Sequence, residues 1–419
     1  MQSTQGLQQL GHDTSLGIAF LPQKANLGQM GGVKLSESSV LHAGVGLEAG
    51  YDTNVFFQNN NRVAAPVLRV VPFLELTNGE RGGAMPTGLY YDLTATLLYR
   101  EFLTDDDNAK QQRAFNPVLS ALVDFNPNAP LNVSLTDQFA RFEEPPYGAG
   151  TGNITRIYNM AGLQLSYAPG GGRLQMMLRY SNMVNVFETE ALKYANHMGH
   201  DLTLDLSWRW LPKTSLFVQA SQGYIDYFNP DDAPANLARQ DSYPLRTLLG
   251  LRGLITNKLN LHVGVGYLNG FYTGSVQNTS GLSNLGAVAE LSYAPTPLTK
   301  LMVGYRREFR NSPVIANFFD VDSPYVSFSA NVATRMMLTA FARYEARRYR
   351  GSIVPGAEER KDNVVQAGAQ ADLFVANWFF LGASYIATVN DSNYQELFPN
   401  SAGFDYTKHL VLARLGVTY

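Results

Sequence analysis

Few side chains in this chain combine the types and spacing that covalent or metal chemistry needs. His197-Met198-Gly199-His200-Asp201 offers two histidines and an acid, the donor set of a metal site or of acid–base work. On a strand, successive side chains point to opposite faces, so His197 and His200 lie on opposite sides and make a poor metal pair. A hydrolytic triad needs a serine, a histidine and an acid converging at one level, whereas Ser207 and His262 fall on strands that are not neighbours. Gly170-Gly171-Gly172 precedes a strand and not a helix, which excludes a phosphate-binding loop. The chain has no cysteine, so thiol nucleophiles, zinc fingers and disulfides are out. The expectation is a protein that is not an enzyme, with no catalytic residue, cofactor or metal.

The elements that carry these residues are strands. Counting back in twos from Tyr419 gives Val417, Leu415, Ala413 and Val411, with Thr418, Gly416, Arg414 and Leu412 between, a period-two pattern with one uniformly apolar face. The same alternation puts Leu202, Leu204, Leu206, Trp208 and Trp210 on one face and Asp201, Thr203, Asp205, Ser207 and Arg209 on the other. Hydrophobic residues are 45% of the chain and charged ones only 16%, yet mean hydropathy is -0.14. Alternation hides apolar character in that average, as it does in a membrane barrel. No stretch approaches the roughly 18 consecutive apolar residues of a transmembrane helix. A net charge of -3 and a pI near 6.1 argue against nucleic acid as a partner.

Strands with one apolar face recur from Leu41 to the C-terminus, joined alternately by short turns such as Leu211-Pro212-Lys213-Thr214 and long polar loops such as Asp226 to Asp241. The expected fold is all-β: a closed antiparallel transmembrane β-barrel of about 18 strands, or 16, with short periplasmic turns and long extracellular loops. Closure pairs the last strand with the first and leaves no edge. The weakest strand is 67–77, because Pro72 removes a ladder donor. Others are expected at 173–182 and 324–333. Residues 1–40 are polar and Gly/Gln/Ser-rich, a periplasmic tail or a plug in the lumen; 41–419 form the barrel. The N-terminus lacks the basic start and apolar run of a signal peptide, which an exported barrel needs, so one is expected to have been removed.

Parity then assigns faces. The lumen-lining set is Arg69, Arg100, Arg179, Asp201, Asp205, Arg209, Arg246, Arg252, Glu290, Arg306, Glu308, Arg343, Asp372 and Arg414. With the remaining inward charges the two signs are nearly equal, which suits uncharged or zwitterionic cargo, sugars included, unless the charges simply pair with one another. Inward aromatics, Tyr90, Phe217, Tyr325, Phe341, Phe374 and Phe380, could stack on sugar rings or pack against a plug. The outward aromatics Tyr167, Trp208, Trp210, Tyr293 and Tyr419 fall near the short-turn end, and Tyr305, Tyr344 and Tyr385 toward the loop end, as two membrane-interface girdles. Asp137 breaks the pattern on a lipid side, where burial would cost on the order of a few kcal/mol. Either a bulge turns it or it sits above the membrane.

The aromatic C-terminus preceded by alternating apolar residues resembles the ending of Gram-negative outer-membrane β-barrels, although Phe is commoner than Tyr there. Gly46-Leu47-Glu48-Ala49-Gly50-Tyr51-Asp52-Thr53-Asn54-Val55-Phe56 resembles the first strand and loop of a β-barrel porin family of Proteobacteria, in which an aromatic-Asp-x-Asn-Val-Phe signature follows the opening strand. Related barrels accompany exopolysaccharide secretion machinery. The resemblance implies a pore in the outer membrane of a Gram-negative bacterium that takes part in polysaccharide export. A general diffusion porin, or a structural or adhesive barrel with a closed lumen, are the alternatives. The partners implied are outer-membrane lipid and lipopolysaccharide, the barrel-assembly machinery through the C-terminal strand, and periplasmic polysaccharide-export proteins.

Overall fold

The computed structural model describes residues 32–79, 86–143, 154–229, 240–273, 285–311, 318–333, 335–349, 358–394 and 404–419. A two-residue strand, β1 (Val33–Lys34), pairs with the start of β2 (Val40–Asp52). There follow β3 (Ala65–Thr77), β4 (Leu89–Phe102), β5 (Ala114–Phe125), β6 (Leu131–Glu143), β7 (Thr155–Tyr167), β8 (Leu174–Phe187), β9 (His197–Leu211) and β10 (Thr214–Tyr227). The second half comprises β11 (Leu245–Thr256), β12 (Leu259–Asn269), β13 (Leu285–Thr296), β14 (Thr299–Asn311), β15 (Phe318–Val332), β16 (Met336–Tyr349), β17 (Lys361–Ala376), β18 (Phe379–Ser392) and β19 (Tyr406–Thr418). Each strand from β2 pairs antiparallel with the next, and β19 returns to β2 from Leu410↔Asp52 to Thr418↔Gly44. The result is a closed barrel of 18 strands.

Its burial is inverted relative to a water-soluble protein. Leu202, Leu204, Trp208 and Trp210 are exposed on β9, while Asp205 and Ser207 of the same strand are buried. That arrangement is stable only where the surrounding solvent is apolar, because exposed leucines cost free energy in water and gain it in lipid.

Turn chemistry sorts the two ends. At one end β9 and β10, β11 and β12, β13 and β14, and β17 and β18 are joined by two residues each. Gly170, Gly171 and Gly172 between β7 and β8 all have positive φ (58°, 73° and 72°), a path that side-chain-bearing residues avoid. The connection between β3 and β4, residues 78–88, is the long exception at this end.

The strand expected at 67–77 is present as β3 with Pro72 inside it; the β3–β4 ladder skips Val71 and Pro72 before resuming at Phe73↔Thr96, while pairing with β2 is unbroken. Other expectations need correction. Strand 173–182 runs on to Phe187. Strand 324–333 begins earlier, at Phe318, because Phe319 and Val321 pack on Tyr349 and override the loop-like Asp320, Asp322, Ser323 and Pro324. Asp137 is neither bulged nor above the barrel. It is the central residue of β6, and its register with Ala121 on one side and Ala161 on the other is continuous. The tail-or-plug expectation for residues 1–40 falls chiefly on 1–31, outside the described residues.

Candidate functional site

The lumen wall is built by inward residues of alternating parity, and long polar side chains lie along it across intervening glycines. Glu48 on β2 binds Arg69 of β3 (3.1 Å) and Arg414 of β19 (2.9 Å). Arg414 also reaches Asp372 on β17 at 3.0 Å, passing over β18, where Gly382 leaves the space. A Cβ at Gly382 would stand 2.2 Å from the Asp372 carboxylate. The same device recurs at Tyr325, whose hydroxyl donates to Glu290 (2.7 Å) from β15 to β13 across Gly304 of β14. Arg252 of β11 binds Asp205 of β9 at 2.6 Å without a glycine at the crossing, spanning β10 with its guanidinium 5.1 Å from the Phe217 ring.

Toward the loop end the polar wall is buried. Glu345 is 1% exposed and accepts from Arg347 (2.6 Å) and Arg310 (3.1 Å), with Arg343 at 3.5 Å. Arg310 is shared with Glu308. Beyond the strands, Arg360 binds Asp362 (2.6 Å) and sits against the rings of Phe404 (4.0 Å), Tyr349 (4.4 Å) and Tyr394 (5.5 Å). Burial alone would lower its pKa, but Tyr349 and Asp362 more than offset this and the net shift is upward.

The other inward residues serve smaller contacts. Arg179 takes the Gln164 amide oxygen (2.6 Å), and Asp201 accepts from Thr203 (2.6 Å) and Ser221. Arg100 donates to the Gln112 carbonyl, and Arg246 lies 4.6 Å from the Phe309 ring. Arg209 and Arg306 face inward on β9 and β14 with no carboxylate at ion-pair distance among the described residues. Phe217 and Phe380 are 2% and 6% exposed, flattened against Gly264 and Gly416, so they are not free platforms for sugar rings. His197 is buried against Tyr227, whereas His200 faces outward and bonds the Tyr180 hydroxyl.

Cross-strand register joins part of this wall into one line. Arg252, His262, Glu290, Gly304, Tyr325, Arg343, Gln366, Thr388 and Lys408 are successive direct partners from β11 to β19. Arg252 is near the turn end of its strand and Lys408 near the loop end of its own, so the line climbs the lumen with the strand tilt. Gln366, Thr388 and Lys408 were not among the expected site residues; parity marks them inward, but only the register of paired strands makes them neighbours.

Lys408 also belongs to a clasp at the closing seam. Its ammonium binds Asp52 (2.8 Å) and lies 3.9 Å from the Phe57 ring centroid. Asp52 accepts the Asn54 N–H, and the fully buried Asn54 donates to the carbonyls of Gln58 and Thr407. Val55 is buried beside Val67, Phe102 and Leu412. The Asp-x-Asn-Val stretch therefore ties the first loop to the last strand. At the other end Ala43 and Tyr419 exchange backbone hydrogen bonds of 2.8 and 3.1 Å.

On the outer face, Tyr305 donates to Asp322, Tyr344 to Asn363, and Tyr385 bonds His409, all toward the loop end. Tyr167, Trp208, Trp210, Tyr293 and Tyr419 are exposed toward the turn end.

A family described as "Putative beta-barrel porin 2" matches residues 40–419. No curated protein matches the chain. Among solved structures, the chain is similar to OccAB3 of Acinetobacter baumannii (11% identity, TM-score 0.45, covering 90% of this chain and 99% of that one). It is also similar to the outer membrane protein opdK of Pseudomonas aeruginosa (9%, 0.46, 90% and 99%) and to the siderophore receptor PirA of A. baumannii (8%, 0.46, 92% and 81%).

Proposed function

Because the chain belongs to the Putative beta-barrel porin 2 family, we propose that this porin-like outer-membrane barrel is a passive, non-enzymatic pore for uncharged, hydroxyl-rich cargo, and that it serves polysaccharide export. The observation that carries this reading is the climbing line from Arg252 to Lys408. From Arg252 to Arg343 its side chains are half-buried and offer donors and acceptors in close succession, so a hydroxyl-rich chain can exchange one partner for the next without a deep well, whereas Gln366 and Thr388 are buried in the wall. The ionic groups of the line are largely engaged by the wall itself: Arg252 by Asp205, Arg343 by Glu345, Lys408 by Asp52. Such a surface favours neutral cargo over ions of either sign. Export as the direction rests on the likeness of the Gly46 to Phe56 stretch to barrels that accompany exopolysaccharide secretion.

One observation favours the second reading, a general diffusion porin. At the loop end, in-folded segments bury Val55, Ala109, Leu192 and Tyr194 against inward strand residues such as Phe102 and Phe187, which narrows the mouth. A narrow mouth suits small solutes better than a polymer. Planar-bilayer recording separates the readings: neutral oligosaccharides added from the turn side should interrupt the current in a length-dependent way if the pore is an outlet. The pore reading fails if no conductance appears even after deletion of residues 1–40, and the export reading fails if a deletion strain secretes every surface polymer normally.

A further inference from the structure

The two rims of the barrel treat cations differently. At the loop end, cations outside the lumen stand beside acids: Lys110 by Asp107 (3.5 Å), Arg141 by Glu188 (2.8 Å), Arg307 by Asp322 (2.7 Å) and Lys361 by Glu358 (3.8 Å). At the turn end they do not. The β7–β8, β9–β10, β11–β12 and β15–β16 connections carry Arg173, Lys213, Lys258 and Arg335, and Lys300 follows the β13–β14 turn. Residues 168–173, 212–213, 257–258, 297–300 and 333–335 contain no aspartate or glutamate. All five cations are exposed, and none has a carboxylate at ion-pair distance among the described residues. Lys213 touches only the Asn257 amide oxygen of the next turn. Successive turns lie two strands, about 10 Å, apart along the rim, so the five form one arc from β7 to β16. The flanking connections, 126–130 and 377–378, carry no charge.

The neighbours of these cations fix their depth. The Arg173 carbonyl accepts from the Arg209 N–H (2.7 Å), which sets Arg173 across from Trp208 and Trp210. Lys213 follows Trp210 by three residues. The Lys258 carbonyl accepts from the Ala294 N–H (2.8 Å), and the adjoining Leu259 pairs with Tyr293. Trp208, Trp210 and Tyr293 are exposed on the outer face, and such rings settle at the boundary between hydrocarbon and head groups. Connections this short lift a lysine or arginine only into the head-group layer, where its charged end meets phosphates.

We propose that the turn-end arc from Arg173 to Arg335 is a binding surface for anionic glycerophospholipids of the periplasmic leaflet. The barrel gathers them along β7 to β16 and not around the rest of its circumference. An acidic protein is the competing occupant, but it would need cations raised clear of the head groups, which two-residue turns do not provide. The arc's lack of acids and its interfacial aromatics together match a lipid with a negative head and an apolar body.

The test uses the three tryptophans of the chain, Trp208, Trp210 and Trp378, which all stand at this end. The full chain is reconstituted in phosphatidylcholine vesicles that contain, at equal mole fraction, brominated phosphatidylcholine or brominated phosphatidylglycerol. Quenching should show phosphatidylglycerol enriched about fivefold beside the tryptophans, the preference that one nearby cation gives a singly charged lipid. In about 1 M sodium chloride, where the screening length is about 3 Å, the enrichment should vanish. Combining Arg173→Gln, Lys213→Gln and Lys258→Gln should bring it near unity, whereas Lys213→Arg with Lys258→Arg should keep it. Lys110→Gln with Lys193→Gln at the loop end should leave it unchanged. Heat-modifiable migration confirms that each variant is a folded barrel. The proposal is overturned if the native barrel is quenched equally by the two lipids, which would leave the arc to an acidic protein. It is also overturned if the triple variant retains the enrichment or the loop-end pair loses it. No cargo enters the measurement, so it stands or falls separately from the pore reading.

Discussion

Two carboxylates lie at similar depth on opposite faces of the wall, Glu48 inside and Asp137 outside, and their surroundings differ completely. Glu48 is 5% exposed and held between two guanidiniums, Arg69 and Arg414, the second anchored in turn by Asp372. Asp137 has one neutral amide and an apolar cleft. The inner charge is part of a lattice that ties β3, β2 and β19 together and reaches β17 across β18. The outer one contributes nothing of that kind to its own chain. Glu48 is structural because two cations reach it, whereas the partner found for the Asp137 carboxylate among the described residues is the Asn159 amide.

The comparison breaks first at Arg414. Arg414→Ala leaves Glu48 to Arg69 and takes a guanidinium from Asp372, both nearly inaccessible, so it should destabilise the barrel by about 3 to 5 kcal/mol. Urea unfolding of the protein in lipid vesicles, followed by tryptophan fluorescence, measures this. A loss under about 1 kcal/mol would mean that the lattice is incidental.

Gly382→Val attacks the same lattice without touching a charge. The new Cβ would meet the Asp372 carboxylate and, at 2.8 Å, the Ala371 carbonyl, which pushes Asp372 away from Arg414. A loss of about 1 to 3 kcal/mol is expected in the same unfolding measurement, and in combination with Arg414→Ala the two effects should fall short of additive.

Asp137→Leu sharpens the contrast because its sign is opposite. In vesicles dilute enough to hold single chains, replacing the uncompensated acid by leucine should stabilise the barrel by about 1 to 2 kcal/mol. Destabilisation under those conditions would show that Asp137 serves its own chain.

Most of the architecture was legible because a barrel strand declares itself by parity alone. Leu202 to Trp210 against Asp201 to Arg209 needs no partner to be read, and the strand count follows from repeating it. Pairing across the wall was not legible. Arg414 reaching Asp372 over Gly382 depends on three strands in register, and nothing local to Gly382 announces that its hydrogen carries a side chain's passage. The Asp52 to Phe56 stretch stood out as a motif, but its role as a clasp on Thr407 and Lys408 joins residues more than 350 positions apart. Phe217 and Phe380 were assigned to the right face; their covering by Arg252 and Arg414 was invisible without the fold.

The smallest equilibrium effect belongs to the terminal residue. Tyr419 closes the ring at the turn end through two backbone hydrogen bonds with Ala43, and its ring is 67% exposed on the outer face. Deleting it removes those bonds while leaving Thr418↔Gly44 and the Glu48–Arg414 pair above them, so the folded barrel should lose only about 1 kcal/mol. Assembly is a different matter, since the β19–β2 seam is the pairing of greatest sequence separation and is made only when both ends of the barrel meet. The amount of folded protein in the outer membrane should fall several-fold, while the molecules that do assemble keep their single-channel conductance. Equal losses of both would place Tyr419 in the pore's working geometry and not at the seam's starting point.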